Sequence, residues 1–288
     1  MAQQLPFRLS LPASARADFL EGFIDHPSNP GPWPTVIICH GFKGFMEWGF
    51  FSALAHLLAE RGFAAVRFNF SGAGQRPGED RVSDLAAFEA NTFSREGEEL
   101  GTVLDAVGGG GLEVERGVFG PGQFDVERIG LFGHSRGGGA VLQVADDPRV
   151  RSVVTWAGVS TYQRWNDEQK EQWRKAGGFP VMNGRTGQEL TLGLGLLDDI
   201  EQNADALDLE AAAERREAPW LIVHGGNDET VPIEEAETLY AAAREPRELL
   251  QVQDAGHTFG AKHPFQGPTP HLIEAMNATQ DWFRKTLA

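Results

Sequence analysis

Cysteine is nearly absent: Cys39 is the single one in 288 residues. No internal disulfide can form, which excludes a disulfide scaffold, and a reducing cytoplasm is the default compartment. Cys39 lies in an apolar run and reads as a small buried residue, with nothing to suggest a metal ligand. Long hydrophobic runs are missing too. The longest, residues 35–39, is strand length, far short of the ~20 residues that span a bilayer. Residues 1–10 lack a basic start followed by an apolar core, so no signal peptide is visible. Basic residues are in deficit, with 25 Lys and Arg against 41 Asp and Glu and a formal net charge of -16. Nucleic acid and anionic membranes need a basic surface, so neither is an expected partner. Only five of those basic residues are lysine. An acidic, lysine-poor surface fits a merely acidic cytosolic protein or one kept soluble at high salt.

What is present is an ordinary globular composition, 41% hydrophobic and 23% charged, without internal repeats or low-complexity tails. Residues 7–11 and 17–25 read as an opening hairpin turned at Pro12, Ala13 and Ser14. Four prolines and a glycine make residues 27–34 a turn. Strands are then expected over 35–40, 64–70, 128–132, 151–156, 220–224 and 248–253. Helices are expected over 49–61, 93–107, 136–145, 233–244 and 270–287. The glycine-rich stretch 108–124 reads as a flexible surface loop. Strands alternating with helices predict an α/β fold, a mostly parallel sheet with helices on both faces. The rhythm breaks over about 160–216, where no strand is clear. That segment, between two sheet strands, is expected to be a small cap inserted in a single domain of residues 1–288. It would lie over the carboxyl ends of the strands, where open α/β sheets bind ligands.

The strongest motif is Gly133-His134-Ser135-Arg136-Gly137. It follows a predicted strand and opens a predicted helix. A strand that turns so sharply into a helix lifts Ser135 to the tip of the bend, and glycine two residues either side avoids clashes. A serine hydroxyl needs a base in reach, and the base needs an orienting acid. His257, just after the last predicted strand, is the candidate base; His263 and His271 are rivals in the same region. Asp228, in His224-Gly225-Gly226-Asn227-Asp228, is the candidate acid, with Glu229 and Asp254 as competitors. The order Ser135, Asp228, His257 is that of strand-elbow hydrolases. His40 and His224 each end a strand before a glycine and read as shapers of backbone turns, and His134 reads as a packing residue. The oxyanion hole is assigned to the backbone N–H groups of Phe42 and Arg136. The Arg136 side chain reads as a surface ion pair. Tyr162, Trp165 and Trp173 are expected either to line a substrate pocket from the cap or to anchor the cap to the body.

These residues resemble the α/β-hydrolase superfamily, along nearly the whole chain: His40-Gly41-Phe42-Lys43-Gly44, the serine motif, the Asp228 loop and Gly256-His257. Within it the chain looks like the dienelactone-hydrolase-like and cinnamoyl (feruloyl) esterase-like branch. It departs from that branch at two positions. Ser135 stands where dienelactone hydrolases commonly carry cysteine, and Arg136 where cinnamoyl esterases often carry glutamine. The resemblance implies a serine esterase acting on small acyl or aromatic, cinnamoyl-type esters through an acyl-enzyme. It needs no metal or organic cofactor; its partner is a small-molecule ester, and a homodimer is the candidate assembly. The alternatives are a peptidase or amidase of the acylaminoacyl-peptidase-like type and a non-enzymatic binding module.

Overall fold

Two strands open the chain, β1 (Gln3–Ser10) and β2 (Phe19–His26), paired antiparallel. The structure, a computed structural model, describes residues 2–13, 15 and 17–287. Ser14, expected in the turn of this hairpin, lies outside the described residues. The proline-rich turn leads to β3 (Trp33–Cys39), and α1 (Phe51–Glu60) crosses over to β4 (Ala64–Phe68). Two helices follow, α2 (Leu85–Glu89) and α3 (Phe93–Asp105), the second capped by the Thr92 side chain on the Arg95 N–H.

The glycine-rich stretch expected as a loop is partly a hairpin, β5 (Leu112–Val114) and β6 (Gly117–Phe119). It adds to the sheet through β1. Leu112 and Phe119 face each other and are buried, which holds this short edge in place. Then come β7 (Phe124–His134), α4 (Arg136–Val144) and β8 (Val150–Trp156).

The segment 160–216, expected to hold no clear strand, contains one hairpin and three helices. These are α5 (Asp167–Ala176), β9 (Gly178–Asn183), β10 (Gln188–Gly193), α6 (Leu194–Gln202) and α7 (Leu209–Arg215). The β9–β10 hairpin forms a separate two-stranded sheet. The Gln188 side chain pairs with both backbone groups of Val82, tying the hairpin to the loop before α2. Helix α7, by contrast, packs on α4 and on α8 (Ile233–Ala242) in the layer against the main sheet. The chain closes with β11 (Trp220–Gly225), α8, β12 (Arg247–Val252) and α9 (Pro270–Thr286).

The main sheet has ten strands in the order β12-β11-β8-β7-β3-β4-β2-β1-β5-β6. The six from β12 to β4 are parallel, and the remaining pairs are antiparallel. Side chains alternate across a strand, so each parallel strand feeds two cores. Ile37 and Cys39 of β3 join the cluster under α3, α4, α7 and α8. Val36 and Ile38 join the one under α1 and α9. That two-sided burial is why β3 reads as a continuous apolar run. Among the described residues no helix is long and apolar enough to cross a membrane.

Candidate active site

The β7–α4 turn holds Ser135 at φ 57 and ψ -124, a conformation that costs a non-glycine residue on the order of 1–3 kcal/mol. The bend is held by the Ser135 N–H donating to the Trp156 carbonyl at 2.8 Å. Its flanking glycines are sterically required. A Cβ on Gly133 would sit 2.2 Å from the Gly137 oxygen, and one on Gly137 would sit 2.5 Å from the His40 oxygen.

Loops from two other strands converge on this turn. His257, after β12, lies with Nε2 3.0 Å from Ser135 Oγ. Its Nδ1 is 2.8 Å from Oδ2 of Asp228, in the loop after β11. With the proton on Nδ1, the imidazole donates to the carboxylate and accepts from the serine hydroxyl. Oδ1 of Asp228 accepts from the Thr230 and Val231 N–H groups, each at 2.9 Å. Burial alone would raise the Asp228 pKa. The His257 bond and charge and the two N–H groups outweigh it, and the carboxyl stays below its usual range.

Three further histidines hold these loops. His224 Nε2–H donates to the Val231 carbonyl at 2.8 Å, bracing the acid's loop. His134, read from sequence as packing, donates from Nε2 to the His257 carbonyl at 2.9 Å. His40 accepts the Phe70 N–H at Nε2, which leaves Nδ1–H for the Gly41 carbonyl. The competitors lie elsewhere. Glu229 and Asp254 are exposed, His271 is on α9, and His263 bonds Asp80 and the Gly49 N–H.

The turn after β3 closes with the Gly44 N–H on the Gly41 carbonyl at 3.0 Å. A Cβ at Gly41 would meet Ser135 Cβ at 2.9 Å, so the turn presses on the serine. Among the described residues the Phe42 N–H has no hydrogen-bond partner. Arg136 opens α4, where the first N–H groups have no acceptor within the helix. Phe42 and Arg136 both line the same cavity as Ser135.

The Arg136 side chain is not the surface ion pair expected from sequence. It is buried, with Nε 2.9 Å from Glu96 Oε2 and Nη2 2.7 Å from Oε1. Its guanidinium lies over the rings of Phe93 and Phe42, 4.4 and 5.3 Å from their centroids. Glu96 is 40 positions away on α3, and no local pattern announces the pairing.

Ser135 and His257 open on a cavity of about 420 Å³. Its apolar wall is built by Phe42, Phe93, Tyr162, Trp165 and Leu192. Tyr162 stacks on Phe93 at 3.8 Å, and its hydroxyl accepts from Gln143. Trp173 stands behind this wall. It is buried edge-on against Trp165, with its indole N–H on the Leu192 carbonyl, so it anchors the hairpin and does not line the cavity. Phe93 and Leu192 were not foreseen: Phe93 reads as the start of a helix, and Leu192 lies in the segment where no strand is clear. A larger and more open depression of about 850 Å³ lies between β2 and α2 and touches none of Ser135, His257 or Asp228. Among the described residues no group of three or more His, Cys, Asp or Glu could hold a metal ion.

Residues 36–267 match the alpha/beta hydrolase family. The chain is similar to the uncharacterized 31.7 kDa protein of the traX-finO intergenic region of Escherichia coli, 26% identical over 93% of each chain. It is 25% identical to 2,6-dihydropseudooxynicotine hydrolase of Paenarthrobacter nicotinovorans, over 86% of this chain and 60% of that one. Among solved structures it resembles Est1E of Butyrivibrio proteoclasticus with ferulic acid bound. The TM-score is 0.68 at 20% identity, covering 93% of this chain and 96% of that one, a likeness of fold.

Proposed function

The chain belongs to the alpha/beta hydrolase family, and from that premise we propose that it is a serine esterase cleaving carboxylic esters through an acyl-enzyme. One observation carries the reading: the unbroken hydrogen-bond chain from Ser135 Oγ through His257 to Asp228. Such a chain serves one purpose well, moving a proton off a hydroxyl as it attacks.

In the proposed first step Ser135 Oγ attacks the ester carbonyl while His257 Nε2 takes the hydroxyl proton. Asp228 fixes the Nδ1–H tautomer and stabilises the imidazolium. Negative charge develops on the carbonyl oxygen, where the Phe42 and Arg136 N–H groups would meet it; a lost donor of this kind typically costs ~10²–10³ in turnover. His257 returns the proton to the departing alcohol. It then draws a proton from water, whose oxygen attacks the acyl carbon, and passes that proton to Ser135 Oγ as the acyl–Oγ bond breaks and the carboxylic acid leaves. The segment 160–216 acts as the cap of this site. Tyr162, Trp165 and Leu192 from that segment line the cavity, which supports this role. The aromatic walls suit small acyl or aromatic esters.

A panel of esters graded in acyl length and aromaticity, run beside aminoacyl anilides, tests the proposal. Ester turnover with little anilide turnover is expected. Turnover confined to the anilides would make the protein an amidase.

A further inference from the structure

The charges around the cavity are segregated. The chain has 41 acidic and 25 basic residues, yet the described cavity lining holds Lys43, Arg136 and Arg164 and no carboxylate. Two of these cations are answered from behind the wall. Glu96 takes both nitrogens of the Arg136 fork. Glu235 takes Arg164 through both oxygens, at 2.6 and 2.9 Å, and the Ser160 N–H as well. Both arginines are thereby neutralised before a ligand arrives.

Lys43 is different. Its ammonium donates to the Met182 carbonyl of β9 at 2.9 Å and stands 5.1 Å from the centroid of the Phe42 ring. Among the described residues no carboxylate lies within ion-pair distance of it. An ammonium has three donors, so two remain. Burial lowers the Lys43 pKa, the mark of a charge taken partly out of water with no acid to answer it. The net charge of -16 repels anions at long range. A local cation in the cavity wall is therefore what an anionic substrate would need.

We propose that the substrate is an ester carrying a carboxylate on its apolar body, and that Lys43 Nζ binds this carboxylate while Ser135 attacks the ester carbonyl. The inference rests on the esterase reading and narrows it to a substrate class. Lys43 then sets specificity without touching the reacting atoms. A ring-lined cavity holds the apolar body, and the ammonium supplies a charge-assisted hydrogen bond worth roughly a 10–100-fold preference.

Two pairs of isosteric probes test it. Monomethyl terephthalate against methyl 4-carbamoylbenzoate places the carboxylate on the acyl side. 4-Carboxyphenyl acetate against 4-carbamoylphenyl acetate places it on the alcohol side. The readout is the ratio of kcat/KM, anionic over neutral, in the wild type, Lys43→Met and Lys43→Arg. In at least one pair the ratio should fall roughly 10-fold or more in Lys43→Met. It should be retained in Lys43→Arg, and should drop in the wild type between about 0.05 M and about 1 M NaCl. The responding pair identifies the side on which the anion lies. Equal ratios in wild type and Lys43→Met in both pairs, with the neutral esters turned over, overturn the proposal and leave the esterase reading standing. No turnover of any of the four, with Ser135 inert to a fluorophosphonate, overturns both.

Discussion

His134, the residue before Ser135, donates its Nε2–H to the backbone carbonyl of His257 at 2.9 Å. The bond runs from the serine's own turn to the loop that carries the imidazole. It keeps two loops from different strands in register at the point where Oγ and Nε2 meet. His134→Phe keeps a ring against Phe50 and Phe51 but removes the donor. It is expected to lower kcat about tenfold with a smaller change in KM, because ground-state binding does not depend on the imidazole's aim. Steady-state ester kinetics with a melting curve check it.

Acid should unfold the protein through the same histidines. Burial holds His134 down to a pKa of about 3 and His40 to about 4, from an ordinary 6.5. Between those values the unfolded chain binds protons that the fold refuses. Stability therefore rises with pH across this window and is lost as pH falls below about 6.5, by up to about 1.4 kcal/mol per pH unit for each group. Asp228, held below its usual range, adds a further loss only at still lower pH. Melting temperatures measured between about pH 4.5 and about pH 7.5 should climb, and more shallowly in His134→Gln.

Glycine substitutions should divide sharply by position. An alanine Cβ at Gly133 or Gly137 would meet backbone atoms at 2.2 and 2.5 Å, with no flexible side chain to give way. Both variants should lose soluble folded protein, or more than about 3 kcal/mol. Gly101, in the middle of α3, has nothing within 4 Å of an added Cβ. Gly101→Ala should stabilise by about 0.5–1 kcal/mol in a urea titration.

The buried Arg136–Glu96 pair makes a different kind of prediction. Arg136→Met leaves a buried carboxylate without its cation and should cost about 3–5 kcal/mol. Arg136→Met combined with Glu96→Gln should recover much of that loss, because neither charge remains. Denaturant midpoints of the two singles and the double give the coupling.

The relation of sequence to structure is uneven for physical reasons. The β7–α4 bend was legible because its sterics demand glycine at fixed offsets, and the Asp228 loop because it follows β11, a strand buried on both faces. The His257 loop follows β12, a partly exposed edge strand, and was legible from its place after the last strand of the alternation. The β5–β6 hairpin was not. Glycines at 108–111 signal a break, and three-residue strands are too short to display alternation. The β9–β10 hairpin does carry a local signal, Asn183-Gly184 between Val181 and the alternating Leu190 and Leu192, but a single turn dipeptide in a segment without longer alternation is weak. The burial of Arg136 had none, since its partner lies on another helix. Trp173 and Trp165 look alike in sequence. The indole bond to the Leu192 carbonyl separates the anchor from the wall.

The proposed nucleophilic role of Ser135 is tested most directly by intact and peptide mass spectrometry after treatment with a neutral fluorophosphonate. One adduct per chain is expected, on the peptide bearing Ser135. It should be absent in Ser135→Ala and strongly slowed in His257→Gln, with ester turnover lost in parallel. An adduct on another residue, or ester turnover that survives Ser135→Ala, would contradict the account.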